Sequence, residues 1–301
     1  MSVTWRNEIP VEFSSHLKFD EPLSRHTSWH VGGPADVYFT PDNAERLSRF
    51  LAALPLAVPV YWLGLGSNLL VRDGGIRGVV IALTPGLDRL ERITDTRIHA
   101  DAGVPCARVA RQCVKWAIGP AEFFAGIPGT VGGALAMNAG AWGQDTWPHV
   151  VEVDVVDRAG KRHTRSAHEY HFAYRSVQAP VEGEWFVAAR FEFSSRPQAS
   201  VATIDELLQK RRDTQPIGAW SCGSTFTNPA NDHAARLIEA AGLKGCRIGG
   251  AVVSEKHANF LLNEGSATAA DLEALMAHVS SEVEKRHGVR LIPEVRVVGD
   301  R

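Results

Sequence analysis

Two glycine-rich loops are the stretches of this 301-residue chain best suited to hold a reactive ligand. The first reads Leu63-Gly64-Leu65-Gly66-Ser67-Asn68-Leu69 and follows an apolar strand directly. Glycines there let the backbone take positive φ and approach a ligand closely. Exposed N–H groups in such a nest suit a phosphate, and Ser67 and Asn68 add side-chain donors. A plain tight turn would use the same residues. The second loop runs Phe124-Ala125-Gly126-Ile127-Pro128-Gly129-Thr130-Val131-Gly132-Gly133-Ala134 and continues through Met137-Asn138-Ala139-Gly140-Ala141. Small residues spaced this densely leave backbone donors free, although close packing of a short helix would also use Gly132 and Gly133. Neither loop is a P-loop or a Rossmann fingerprint. Together they match a dinucleotide, whose diphosphate needs anion donors and whose ring needs a flat apolar slot.

The other chemistry-bearing residues point away from metal. Cys106, Cys113, Cys222 and Cys246 form no C-x-x-C pair, and none stands at metal-ligand spacing from a histidine. Cys113 falls on an apolar helical stripe and reads as core. The set fits a reducing compartment. His26 and His30 stand four apart, but no H-E-x-x-H motif or third ligand accompanies them, so no metal is expected.

The elements that must position the loops alternate at first between strand and helix. Residues 36–39 read as a strand, after which Thr40 caps a helix with Pro41 at its first position. Leu47, Phe50, Leu51 and Leu54 form its buried face. Residues 59–63 and 79–83 read as buried strands of a mixed or partly parallel sheet. The middle third reads as α+β. It has a strand at 97–102, a helix opened by Pro105 with Val109, Cys113, Trp116 and Ala117 inward, and strands at 150–156 and 185–193. In the last third, Thr203 and Glu206 make a capping box. A helix over 232–241 stops at Gly242, and another carrying Leu272, Leu275, Met276, Val279 and Val283 stops at Gly288. Residues 292–298 read as a strand.

Length fits two domains, or three small ones. The net charge of -2 comes from 32 basic and 34 acidic residues scattered along the chain, so no basic stripe for nucleic acid exists. Local arginine clusters can still hold a phosphorylated small molecule. Residues 51–71 are nearly all apolar, but Pro55, Pro59, Gly64, Gly66, Ser67 and Asn68 break them, which argues against a membrane span. The N-terminus has no apolar signal region, so a cytoplasmic protein without membrane partners is expected.

The motifs in order carry a resemblance. G-x-G-S-N-[LV]-[LV] is followed by G-I-P-G-[TS]-V-G-G-A, N-A-G-A and Tyr174-Arg175-Ser176. Gly223-Ser224-Thr225-Phe226-Thr227-Asn228-Pro229, Ser254-Glu255-Lys256-His257-Ala258-Asn259-Phe260 and Pro293-Glu294-Val295-Arg296 complete the series. From about residue 25 to 298 the chain resembles the UDP-N-acetylenolpyruvoylglucosamine reductases. The resemblance implies noncovalent FAD in a vanillyl-alcohol-oxidase-type (PCMH-type) fold of α+β class, with a smaller α+β substrate-binding domain. It also implies NADPH as hydride donor and UDP-N-acetylglucosamine enolpyruvate as acceptor. The division it implies is 1–83 with 291–301, then 84–197, for FAD, and 198–290 for substrate. Longer family members carry an inserted loop whose tyrosine closes over the substrate. Here Pro229 leads almost directly into a helix and no tyrosine follows Tyr174, as in the shorter subtype. A monomer is expected.

Roles carried over by the resemblance complete the reading. Gly64, Gly66, Ser67, Asn68, Leu69, Gly126, Ile127, Pro128, Gly129, Thr130, Gly132, Gly133, Asn138 and Gly140 are expected to hold the cofactor. Ser224 would donate a proton, Arg175 would face the substrate carboxylate or enolate, and Glu294 would assist the enolate, protonated or through water. An ionised Glu294 would oppose that charge, so burial is expected to raise its pKa. Asn228, Lys256, His257, Asn259 and Arg212 are candidate substrate contacts. The competing expectation is an FAD-dependent oxidase or dehydrogenase of an alcohol or sugar on the same fold.

Overall fold

A computed structural model describes residues 3–196 and 200–301. Packing divides the chain into two compact units. Unit 1 comprises Met1–Phe19, Val37–Leu65 and Gly78–Gln209; unit 2 comprises Asp20–Asp36, Gly66–Arg77 and Lys210–Arg301.

Unit 1 holds two cores. In the first, helix α1 (Ala44–Ala53) buries Leu47, Phe50 and Leu51. Phe50 stacks on Phe39 at 3.8 Å, and Phe13 meets it edge-on at 5.3 Å. The helix begins later than Thr40 and Pro41 indicated. Asn43 is its N-cap, accepting the Arg46 N–H at 2.8 Å, while the Thr40 N–H is spent on the His16 carbonyl. An extended Asn supplies the acceptor that the first-turn donors need. At the other end, the Arg158 guanidinium donates to the Leu51 carbonyl in the last turn of the helix and to the Val58 carbonyl beyond it. The strand Val60–Leu63 runs parallel to Ile76–Ala82, with Val60 beside Val79 and Leu63 beside Ala82. This bears out the partly parallel sheet, and it delivers the chain to Gly64 at the end of a strand that is half-buried up to Leu63 rather than buried throughout.

The second core lies on a five-stranded antiparallel sheet in the order Arg162–Ser166, Val150–Asp157, Glu184–Glu192, Arg97–Asp101, Leu90–Arg92. Helix α2 (Cys106–Lys115) turns Val109 and Cys113 into it. Fully buried side chains of this kind are each worth about 1.5–3 kcal/mol. Trp116 and Ala117 are only half-buried, because the helix has already ended and Ala117 takes φ 55°. Helix α3 (Val131–Met137) follows in the second glycine-rich loop.

Helix α4 (Val201–Thr214) begins before Thr203, the expected cap. Ser200 Oγ accepts the Ala202 N–H at 3.1 Å instead, which leaves Thr203 inside the first turn. In unit 2, helix α5 (Ala234–Ala240) and helix α6 (Ala269–His287) bury Leu237, Ile238, Leu272, Leu275 and Val279 against Trp29 and Leu70. Thr268 and Asp271 form a capping box on α6, and Gly288 at φ 68° ends it as expected. The tail strand, Arg296–Val298, pairs in parallel with Leu69–Val71. It is shorter than the stretch 292–298, because Pro293 makes only an isolated bridge to Phe226.

Candidate active site

In unit 2 one run of hydrogen bonds gathers four segments far apart in sequence. Asn68 Nδ2 donates to the Glu294 carbonyl at 3.1 Å, and the Arg296 N–H donates to the Asn68 carbonyl at 3.2 Å. The Glu294 N–H donates to the Thr225 carbonyl at 2.8 Å, and the Thr225 N–H to the Asn259 carbonyl at 2.8 Å. The Asn259 side chain then clasps Phe226 from both sides, accepting its N–H at 3.0 Å and donating to its carbonyl at 2.8 Å. Asn259 is 3% exposed, so its amide is spent on holding the Ser224 segment. Ser224 itself is half-buried, beside Gly223 at φ 74°, where nothing stands within 4 Å of an added Cβ. Glu294 is half-buried as well. Ser224, Glu294 and Asn68 are thus brought together.

The turn that carries Ser67 and Asn68 requires its glycine. Gly66 has φ 61°, and a Cβ there would stand 2.0 Å from the His26 carbonyl oxygen. Its own carbonyl accepts the Ser28 N–H at 3.1 Å. Beneath it, Cys222 Sγ donates to the Leu69 carbonyl at 3.6 Å. Burial pushes that thiol up to about 12, which makes it a packing residue rather than a nucleophile.

In unit 1 the two glycine loops meet. A Cβ on Gly64 would stand 2.6 Å from Thr130 Oγ1. Thr130 is the N-cap of α3 and accepts the Gly133 N–H at 3.3 Å. The Val131 N–H goes to the Val104 carbonyl and the Gly132 N–H to the Ala102 carbonyl. These donors are therefore committed to protein, contrary to the free nest read from glycine density, and Gly132 is there because Ala102 lies 3.0 Å from where a Cβ would be. Gly126 and Ile127 are buried, whereas Pro128 and Gly133 are exposed and Gly129 half-buried. At Gly133 only Thr130 Oγ1, 3.7 Å away, stands near the place of a Cβ.

Arg175 sits at the tip of the hairpin His171–Ala173 and Ser176–Gln178, in the left-handed region at φ 53°. Its Nη1 donates to the Asn138 carbonyl at 3.2 Å and its Nη2 to the Gly140 carbonyl at 3.1 Å. Asp145 Oδ1 lies 3.6 Å from Nη1. Asp145 escaped the sequence reading, and only its closeness to the N-A-G-A run could have flagged it.

The remaining candidates differ in character. Asn228 is exposed and its Oδ1 accepts the Ala234 N–H at 3.1 Å, tying off the start of α5. Lys256 is exposed and its ammonium donates to the Arg212 carbonyl. Ser254, which sequence reasoning missed, accepts the N–H groups of Lys256 and His257 at 3.2 and 3.3 Å. His257 packs edge-on to Phe260 at 4.8 Å, and burial lowers its pKa.

Gly64 is packed against Thr130, whereas Gly129 and Gly133 are half-buried and exposed and add no side chain, so this stretch of unit 1 presents bare backbone of the kind an extended dinucleotide needs.

The comparisons agree. Residues 35–166 match the family described as FAD binding domain. Residues 215–298 match the one described as UDP-N-acetylenolpyruvoylglucosamine reductase, C-terminal domain. The chain is 54% identical over 285 residues to the UDP-N-acetylenolpyruvoylglucosamine reductase of Alkalilimnicola ehrlichii, covering 94% of this chain and 95% of that one. It is 53% identical to the enzyme of that name from Methylococcus capsulatus, covering 93% and 92%. The crystal structure of UDP-N-acetylenolpyruvylglucosamine reductase from Thermus caldophilus superposes with TM-score 0.79 at 31% identity, over 92% of this chain and 97% of that one. The molecule is an α+β flavoprotein. It belongs to the UDP-N-acetylenolpyruvoylglucosamine reductase family.

Proposed function

We propose that this chain reduces UDP-N-acetylglucosamine enolpyruvate to UDP-N-acetylmuramate with NADPH, a step of peptidoglycan precursor synthesis. The observation that carries the reading is the hydrogen-bonded run from Asn68 through Glu294 to the Ser224 segment, within a chain of this family. FAD, which Gly64 and the loop 126–133 would hold noncovalently, would supply hydride chemistry at the terminal carbon of the enol ether, with NADPH as the reductant. Ser224 gives a proton to the neighbouring carbon, which bears the carboxylate. A serine hydroxyl is a weak acid, but the enolate is a stronger base, and positioned acid catalysis is typically worth about 10²–10⁴-fold. Arg175 presents a planar guanidinium to the carboxylate and developing enolate, and Glu294 assists. Residues 198–290 recognise the sugar nucleotide, through Asn228, Lys256, His257 and Arg212, with Asn259 holding the Ser224 segment in place, and the rest of the chain holds the flavin. Between Pro229 and Ala234 lie four residues, too few for a closing loop, in keeping with the shorter subtype.

No helix of the described residues is long and apolar enough to cross a membrane. The protein is assigned to the cytoplasm as a monomer, which sedimentation independent of concentration would support. The activity is tested anaerobically. NADPH should bleach the flavin, and the enolpyruvyl sugar nucleotide should restore its colour. Recolouring by an oxidant alone, with none from that substrate, would favour the alcohol or sugar oxidase.

A further inference from the structure

We infer that Asn138 is a positioning residue for Arg175. The inference rests on the role assigned to Arg175 above and deepens it.

Asn138 ends α3 in the left-handed region, at φ 47° and ψ 54°, and is 2% exposed. Both ends of its amide are used. Oδ1 accepts the Trp147 N–H at 3.0 Å, and Nδ2 donates to the Ala173 carbonyl at 3.0 Å. Ala173 is the last strand residue before the Tyr174-Arg175 turn, so the amide grips the hairpin two residues from the guanidinium's own backbone. Trp147, held by the other end, stacks along Phe172 of the same hairpin at 5.8 Å. The main chain of Asn138 completes the grip, because its carbonyl receives Arg175 Nη1 at 3.2 Å. One residue thus fixes the arginine at its root and at its tip.

Two further features fit a guanidinium held in a set pose. Arg175 adopts φ 53°, a conformation that L residues with long side chains avoid and that persists where surroundings enforce it. Gly140, whose carbonyl receives Nη2, lacks a Cβ, which would stand 2.1 Å from Asp145 Oδ1. Glycine therefore lets that carboxylate approach to 3.6 Å of Nη1. A fork oriented before substrate arrives loses no rotational freedom in the reaction, and misplacing it by about 1 Å can cost about 10²-fold.

The test uses the FAD-loaded enzyme and variants Asn138→Asp, Asn138→Gly and Arg175→Ala. Asn138→Asp keeps the acceptor for Trp147 and loses the donor to Ala173. Asn138→Gly keeps the left-handed helix end and removes the amide, so it serves where the charged variant does not fold. Bleaching by NADPH should be affected far less than recolouring in both. Recolouring by the enolpyruvyl sugar nucleotide should slow by about 10²-fold, and in an Arg175→Ala background the same substitutions should cost nothing further. Losses that multiply with Arg175→Ala, or that fall equally on flavin content and NADPH bleaching, would overturn the inference. Arg175→Ala leaving recolouring at the wild-type rate would instead overturn the role of Arg175.

Discussion

The Glu294 N–H donates to the Thr225 carbonyl at 2.8 Å. That one bond places a glutamate from the C-terminal segment beside the residue that follows Ser224, although 69 positions separate Thr225 from Glu294 in sequence. The carboxylate and hydroxyl assigned to one reaction are held by backbone, and backbone geometry survives substitution of either side chain.

Ser224→Ala should therefore separate folding from chemistry. Ser224 is half-buried, and replacing its hydroxyl leaves the Thr225–Glu294 bond in place. Flavin content and NADPH bleaching should match the parent, while recolouring slows by about 10²–10⁴-fold. Rapid-mixing absorbance measures both. Equal slowing of the two half-reactions would remove Ser224 from the chemistry.

Asn259→Ala should act the other way round, on structure first. It leaves the Phe226 N–H and carbonyl, both buried, without their partner. An unsatisfied buried group costs about 1–3 kcal/mol, so urea unfolding should show a loss of at least about 2 kcal/mol. Recolouring should fall with it because the Ser224 segment loosens. A variant as stable as its parent would show that the clasp does not hold the segment.

Much of this arrangement could be read from the residues, and its gaps have physical causes. The stripe of Val109 and Cys113 gave α2, and Gly288 marked the end of α6, because both signals are local. Thr40-Pro41 misplaced the start of α1 since Asn43 offered an equally good acceptor in an extended conformation. Glycine density in the second loop promised free donors. Three of the N–H groups instead close onto Ala102, Val104 and Thr130, bonds that no local pattern could reveal. Asn138 and Asn259 stand out within their motifs, but the partners that their amides hold, Ala173 and Phe226, lie 35 and 33 residues away and carry no local signal.

Gly64→Ala should weaken flavin retention. The new methyl would stand 2.6 Å from Thr130 Oγ1 and push it from the Gly133 N–H it caps. Losing such a cap costs about 1 kcal/mol. Thr130→Ala should relieve the clash, so the double variant should retain flavin better than the sum of the single losses allows. Flavin released on dilution measures this, and additive losses would show that the two loops do not act through that contact.

His149 sets part of the acid limit of stability. It lies between Phe123 and Phe193, with ring centroids 5.6 and 5.1 Å away, and burial lowers its pKa from 6.5. The unfolded chain then binds the proton that the folded chain refuses, so stability rises with pH in that range. The contribution is complete above about pH 6.5 and is lost as pH falls below it. His257, also lowered by burial, contributes in the same sense. His149→Phe should leave a shallower fall in melting temperature on acidification, and an unchanged slope would exclude His149 as a source.

The most direct test of the proposed reaction is the position of label in the product. With unlabelled NADPH in deuterated water, the product should carry deuterium on the carbon bearing the carboxylate. Its formation should slow in Ser224→Ala. Protium retained on the carbon bearing the carboxylate, or no lactyl product at all, would contradict delivery of a solvent-derived proton to that carbon by this chain.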